Sequence, residues 1–246
     1  MTTLTQDQII QQDSAILNKR AIQIHRGAAR AAVLGVNDGL VSTLCIVLAV
    51  AAAQDSAQSV LIAGLAGLIA GAISMAAGEW ISVTSQVDLF RGVLDDLKRL
   101  VKEDRQLLTS QLEADFKNSG LDNKTAQIAA SEIARDDKHL TAEYARNVMG
   151  INPDELGSPR TAAFSSFLLF TVGSLVALCP WFITEGTTAI ICSLVFTTIG
   201  GLVVGGYVSR SSGSDIPKGA LRQLFIIVFA SVVTYGIGHL FGAFVY

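Results

Sequence analysis

Residues Ala31–Gln54 read AAVLGVNDGLVSTLCIVLAVAAAQ, and Asp38 is the only charge among them. The next run, Ser56–Val87, reads SAQSVLIAGLAGLIAGAISMAAGEWISVTSQV and contains only Glu79. Each is longer than the roughly 20 apolar residues a helix needs to cross a bilayer. Three more such runs follow. Thr161–Thr184 and Gly186–Ser209 hold no charge, and in Gln223–Tyr246 the only ionisable group apart from tyrosine is His239. Soluble helices alternate apolar and polar faces, and these runs do not. The expected fold is all-α, an integral membrane protein with five transmembrane helices.

The rest of the sequence agrees with that reading. Of 246 residues 50% are hydrophobic and 16% charged, with a net charge of −3. A mean hydropathy of +0.47 excludes a disordered chain. Without a basic excess, nucleic acid is not an expected partner. No catalytic triad, phosphate loop or dinucleotide fingerprint is present, so the chain is not expected to be an enzyme or to need a cofactor. The 18 Lys and Arg residues fall in three places. Lys19, Arg20, Arg26 and Arg30 precede the first span, eleven lie between Arg91 and Arg160, and Arg210, Lys218 and Arg222 separate spans four and five. With alternating spans all of them fall on one side, which the positive-inside rule makes cytosolic. The N-terminus is then cytosolic and the C-terminus is on the opposite face. The first 20 residues lack a secretory signal. The expected location is a cell (inner) membrane, with a vacuolar membrane as the alternative. Ile9, Ile10, Ile16 and Leu17 have helical spacing, which fits a segment lying on the membrane or a polar tail. Cys45, Cys179 and Cys192 sit in spans without disulfide or zinc spacing and are expected to pack as small hydrophobes.

Four regions result: a cytosolic N-terminal segment (1–30), transmembrane helices one and two (31–90), a cytosolic helical hairpin between helices two and three (91–160), and transmembrane helices three to five (161–246). In the hairpin, Leu89, Val93, Leu97, Leu100, Leu107, Leu108, Leu112 and Phe116 recur at helical spacing. They predict a helix growing directly out of span two and ending at Asn118-Ser119-Gly120. Asp122 is placed to cap a second helix running to about Met149. Asn152-Pro153 and Ser158-Pro159 mark an extended linker into span three. On the second helix Glu132, Asp136, His139 and Glu143 fall on one face, either as a divalent-metal site or as a solvated surface.

Asp38 and Glu79 need a stronger reason to exist. A carboxylate within a bilayer costs at least roughly 2.5 kcal/mol, and no Lys or Arg lies inside any span to pair with it. Its partner is then a proton or an external cation. Asp38 lies about seven residues, roughly 10 Å, from the start of span one. Glu79 lies toward the cytosolic end of span two, so the two are expected at similar depth. Met75, one turn from Glu79 on the same face, adds a thioether that suits Fe²⁺ better than Mg²⁺ or Ca²⁺. Asn37-Asp38-Gly39 is expected to interrupt the helix of span one. Gly35, Gly39 and Ser42 surround it with small residues. His239 is open between proton relay and an interhelical hydrogen bond. The pairs Gly67/Gly71 and Gly201/Gly205 are expected to let helices approach closely.

The motifs carrying these residues resemble the vacuolar iron transporter family. They are Ala32-Val33-Leu34-Gly35-Val36-Asn37-Asp38-Gly39-Leu40-Val41-Ser42-Thr43, Gly71-Ala72-Ile73-Ser74-Met75-Ala76-Ala77-Gly78-Glu79-Trp80 with Ser85-Gln86, Asp154-Glu155-Leu156-Gly157-Ser158-Pro159, and Thr234-Tyr235-Gly236-Ile237-Gly238. The resemblance covers nearly the whole chain in order. It implies five spans, a homodimer with an ion path between subunits, and movement of Fe²⁺, often also Mn²⁺, out of the cytosol in exchange for protons. The path residues would be Asp38, Met75 and Glu79.

The hairpin departs from the family pattern. The family's first-helix glutamates would fall near Leu97, Leu100, Leu108 and Gln111, and its methionines near Ile133 and Ala134, leaving only Asp137 acidic. Gln23-Ile24-His25 also lacks the acidic residue the family often has before the histidine. A degenerate metal-binding hairpin with a mainly structural role is therefore expected. Two readings follow: a transporter of Fe²⁺, with Mn²⁺ as a second cargo, or a non-transporting membrane scaffold or metal sensor that retains the fold.

Overall fold

The computed structural model describes residues 27–53, 56–152 and 157–245. The N-terminal segment, including Ile9, Ile10, Ile16, Leu17 and Gln23-Ile24-His25, lies outside the described residues, as does most of the linker before span three. The chain is 89% helical with no strand among the described residues. The helices are α1 (Gly27–Ala53), α2 (Ala57–Glu103), α3 (Arg105–Asn118), α4 (Asn123–Ile133), α5 (Asp137–Asn147), α6 (Pro159–Leu178), α7 (Gly186–Ser211) and α8 (Ile216–Val245), with a 3-10 turn at Cys179–Phe182. Five are long and apolar enough to cross a membrane: α1, α2, α6 with its 3-10 turn, α7 and α8. The chain folds as two units, one of residues up to Ile81 and from Ser158 onward, the other Ser82–Gly157.

In the first unit α1 is central, with α6, α7 and α8 around it. Lipid tails are as apolar as leucine, so close packing rather than water exclusion holds such helices together. The seams are built of small residues. A Cβ on Gly39 would lie 2.2 Å from the Phe170 carbonyl oxygen, and one on Gly173 would lie 2.3 Å from that of Val36. Gly238 approaches the Ala49 carbonyl equally closely, and a Cβ on Gly205 would lie 2.8 Å from the Gly219 carbonyl oxygen. On α2, Gly64, Gly67 and Gly71 instead receive the side chains of Leu178, Ile46 and Phe170. Both expected glycine pairs thus serve close approach. These contacts make α1, α6 and α8 parallel and α7 antiparallel to α8. The helix ends bearing Arg30, Arg160, Arg210, Lys218 and Arg222 consequently lie together at one end of the unit. At the other end the Trp181 indole donates to Ser193 Oγ at 3.1 Å, and Ser193 donates to the Ala177 carbonyl at 2.8 Å.

The expected interruption at Asn37-Asp38-Gly39 does not occur, and α1 is continuous through it. Asn37 has another partner for its side chain, described below. Gly39 is held by the α6 backbone, and Ser42 Oγ donates back to the Asp38 carbonyl. The cysteines are free thiols. Cys45 and Cys192 are half-buried, but Cys179, at the start of the 3-10 turn, is exposed rather than packed inside.

The second unit contains the end of α2 with α3, α4 and α5. The helix leaving span two breaks at Asp104, whose carboxylate caps α3 by accepting from the Leu107 amide at 3.0 Å. Gly120, at φ +102°, ends α3 as expected, and Asp122 caps α4. The second arm is broken as well. Asp136 adopts an extended conformation and caps α5 by accepting from the His139 amide at 3.1 Å. Arg105 secures this break, donating to the Ala134 carbonyl at 3.1 Å and pairing with Asp137. The core consists of Leu94, Leu97, Val101, Leu108, Leu112, Ala130, Leu140, Tyr144 and Ala145. Apolar periodicity ran across both breaks because each occupies only one to three residues, too few to shift the buried face.

Candidate functional site

Among the described residues Glu79 is the only buried carboxylate, 8% exposed, and its Oε2 has no hydrogen-bond partner there. A buried acceptor of this kind is costly unless a proton or cation completes it. Met75, half-buried, stands one turn away on the same helix. Asp38 is different: it lies on the exposed outer surface of α1. Gly39 abuts the Phe170 backbone and Gly71 the tip of the Phe170 ring, which brings this turn of α2 near that of α1. Glu79 lies eight residues, about 12 Å, from Gly71 toward the basic end. Of the three residues Glu79 lies nearest the basic end.

Gln223 was not singled out by sequence reasoning. It is 7% exposed, and its Nε2 donates to Asn37 Oδ1, joining α8 to α1 one residue before Asp38. Its signal was there: an amide at the edge of an otherwise apolar run. Thr43, Ser166, Ser174, Thr197 and Ser231 are also buried in this unit, each with a hydroxyl lacking a partner among the described residues. His239 is exposed on α8 and makes no interhelical hydrogen bond among the described residues.

In the second unit the candidate metal residues are not brought together. Glu132 pairs with Arg135 at 2.9 Å and Glu143 with Arg146 at 3.1 Å. Asp136 is a helix cap that also meets His139 Nδ1 at 3.2 Å, and Asp137 pairs with Arg105. The His139 side chain is 78% exposed. The single helix expected to carry them is broken between α4 and α5. No three His, Cys, Asp or Glu side chains gather around a common point among the described residues. The positions where the family's glutamates would fall are instead mostly spent on packing. Leu97 and Leu108 are core, and Gln111 accepts a hydrogen bond from the Tyr144 hydroxyl. Ile133 and Ala134 pack against the same core.

Five apolar helices with unpaired carboxylates on two of them define a multi-pass membrane protein with polar chemistry inside its spans. Comparison with known proteins makes this specific: residues 29–239 match the model of the VIT family, and the chain belongs to that family. It is 31% identical to vacuolar iron transporter homolog 1 of Oryza sativa subsp. japonica over 87% of this chain and 73% of that protein. It is also 31% identical to a vacuolar iron transporter of Acanthamoeba castellanii, over 87% of this chain and 78% of that one. A shorter match, 52% identical, covers 32% of this chain and 38% of vacuolar iron transporter homolog 5 of Oryza sativa subsp. japonica.

Proposed function

We propose that this chain exports Fe²⁺, with Mn²⁺ as a second cargo, from the cytosol across a cell (inner) or vacuolar membrane in exchange for protons. The observation that carries the reading is the buried Glu79 carboxylate with an open acceptor and no basic residue in any span to neutralise it. An incoming cation completes that acceptor, and a proton does so on the return. The position of Glu79 nearest the basic end supports a staged path. Glu79 takes the ion at the basic, cytosolic end, Met75 adds a soft donor one turn further in, and Asp38 exchanges metal for proton at the deepest point.

The exposure of Asp38 supports a homodimer. A carboxylate on the outer surface of a span cannot face hydrocarbon without the cost already given. Facing Asp38 of a second copy across a shared path, it instead becomes half of a four-oxygen site for a divalent cation. The clustering of basic helix ends supports a cytosolic N-terminus.

Fe²⁺ flux into proteoliposomes tests the reading. Asp38→Ala and Glu79→Ala are each expected to abolish uptake driven by a pH gradient, and unchanged uptake after Asp38→Ala would sink it. The scaffold or sensor reading is favoured by one observation, the apolar core occupying the second unit's metal positions. It predicts metal binding with no flux in the wild-type chain.

A further inference from the structure

The hydrogen bond between Gln223 and Asn37 joins residues 186 positions apart, on α8 and α1. Gln223 has little freedom of its own. A Cβ on Gly201 would lie 3.1 Å from its Cγ, and one on Gly205 would lie 3.1 Å from its Cβ, so α7 is shaped around this side chain. Its Cβ and Cγ are wedged against α7 while its amide reaches across to α1. Asn37 and Asp38 are consecutive on α1, and their side chains therefore leave the helix axis about 100° apart. Pinning Asn37 to α8 fixes the rotation of α1 at this turn, and with it the direction of Asp38. Gly35 and Gly39 seat this turn of α1 against the α6 backbone on one side, and the Asn37–Gln223 bond ties it to α8 on another.

We infer that Gln223 is a positioning residue: through Asn37 it holds α1 so that Asp38 points into the ion path. The inference rests on the transport reading of Asp38, and it identifies a group that touches neither metal nor proton. Gln223→Met keeps the length and apolar contacts but cannot donate the hydrogen bond. The double variant Asn37→Gln/Gln223→Asn exchanges the two amides and keeps their combined length.

Flux in proteoliposomes is read as KM and maximal rate for Fe²⁺. Gln223→Met is expected to raise KM about three- to twenty-fold, the range corresponding to measured interhelical hydrogen bonds in membranes. The maximal rate is expected to stay within about twofold, and the exchanged double variant to return KM to near wild type. A purely structural bond would lower folded yield and maximal rate while leaving KM unchanged, and that result overturns the inference.

A second measurement is independent of flux. With Cys45, Cys179 and Cys192 replaced by Ala and Asp38→Cys introduced, the rate of maleimide labelling reports the direction of position 38. Gln223→Met is expected to change that rate several-fold, and the amide exchange to restore it. An unchanged labelling rate overturns the inference whether or not the chain transports. A wild-type chain that moves no metal, combined with a changed labelling rate, refutes the transport reading and leaves the amide clamp standing.

Discussion

Glu79→Gln separates a buried charge kept for function from one tolerated by the fold. The wild-type carboxylate is 8% exposed with Oε2 unpartnered, in a set of spans containing no Lys or Arg. On insertion scales its placement within the bilayer costs roughly 2.5 kcal/mol. Glutamine has the same length and no charge, though its own oxygen remains without a donor, at about 1 kcal/mol. The metal-free variant should therefore be more stable than wild type by about 1–2 kcal/mol. Metal reverses the order. At 100 times Kd, a ligand that binds only the folded state adds about 2.7 kcal/mol. Wild type gains this and the variant gains little, so wild type should lead by about 1 kcal/mol in saturating Fe²⁺. The assay is thermal unfolding of the purified protein in detergent under reducing conditions, with chelator or with Fe²⁺. A variant less stable than wild type in chelator would show that Glu79 has a structural partner. Equal stabilisation of both proteins by Fe²⁺ would show that the metal does not use this carboxylate.

Three further outcomes follow from the geometry. Gly39→Ala should destabilise the membrane unit by about 3 kcal/mol, the upper end for overpacking, because its methyl would meet the Phe170 backbone; Gly78→Ala, which meets nothing within 4 Å in this chain, serves as the control in the same thermal unfolding series. Asp136→Ala should cost about 1 kcal/mol through loss of the α5 cap, while Fe²⁺ titration of the full chain registers no change in the number of bound ions. Burial holds the Tyr144 phenol above its ordinary value of 10.0. The stability this represents is complete below pH 10 and is lost as pH rises through the higher folded-state value. Denaturation followed from pH 9 to 12 should therefore weaken the second unit in wild type and be flatter in Tyr144→Phe.

The five spans were legible because each is an apolar run long enough to cross a bilayer, which needs no knowledge of neighbours. Asp38 and Glu79 were legible for the same reason, as single charges in such runs. The breaks at Asp104 and Asp136 were not. A carboxylate that caps a helix and one that decorates its surface look alike in sequence, and leucine spacing continued across both sites. That spacing located the buried face of the second unit, including Leu97, Leu108 and Leu112, but not the helix ends. The reading of Glu132, Asp136, His139 and Glu143 as one face failed with the helix that was to carry it.

By itself the sequence determined the number of spans, the side on which the basic residues gather, and the two carboxylates that hydrocarbon cannot solvate. These are properties of composition along a line, set by transfer free energies that each segment incurs alone. Tertiary structure decided that Glu79 is buried and Asp38 is on an outer surface, and that Asn37 is joined to Gln223. Each of these depends on which face of one helix meets which face of another. In a membrane that choice is made by close contact at Gly39, Gly173, Gly205 and Gly238, where the absence of a side chain on one helix matters only once the backbone of another fills the space.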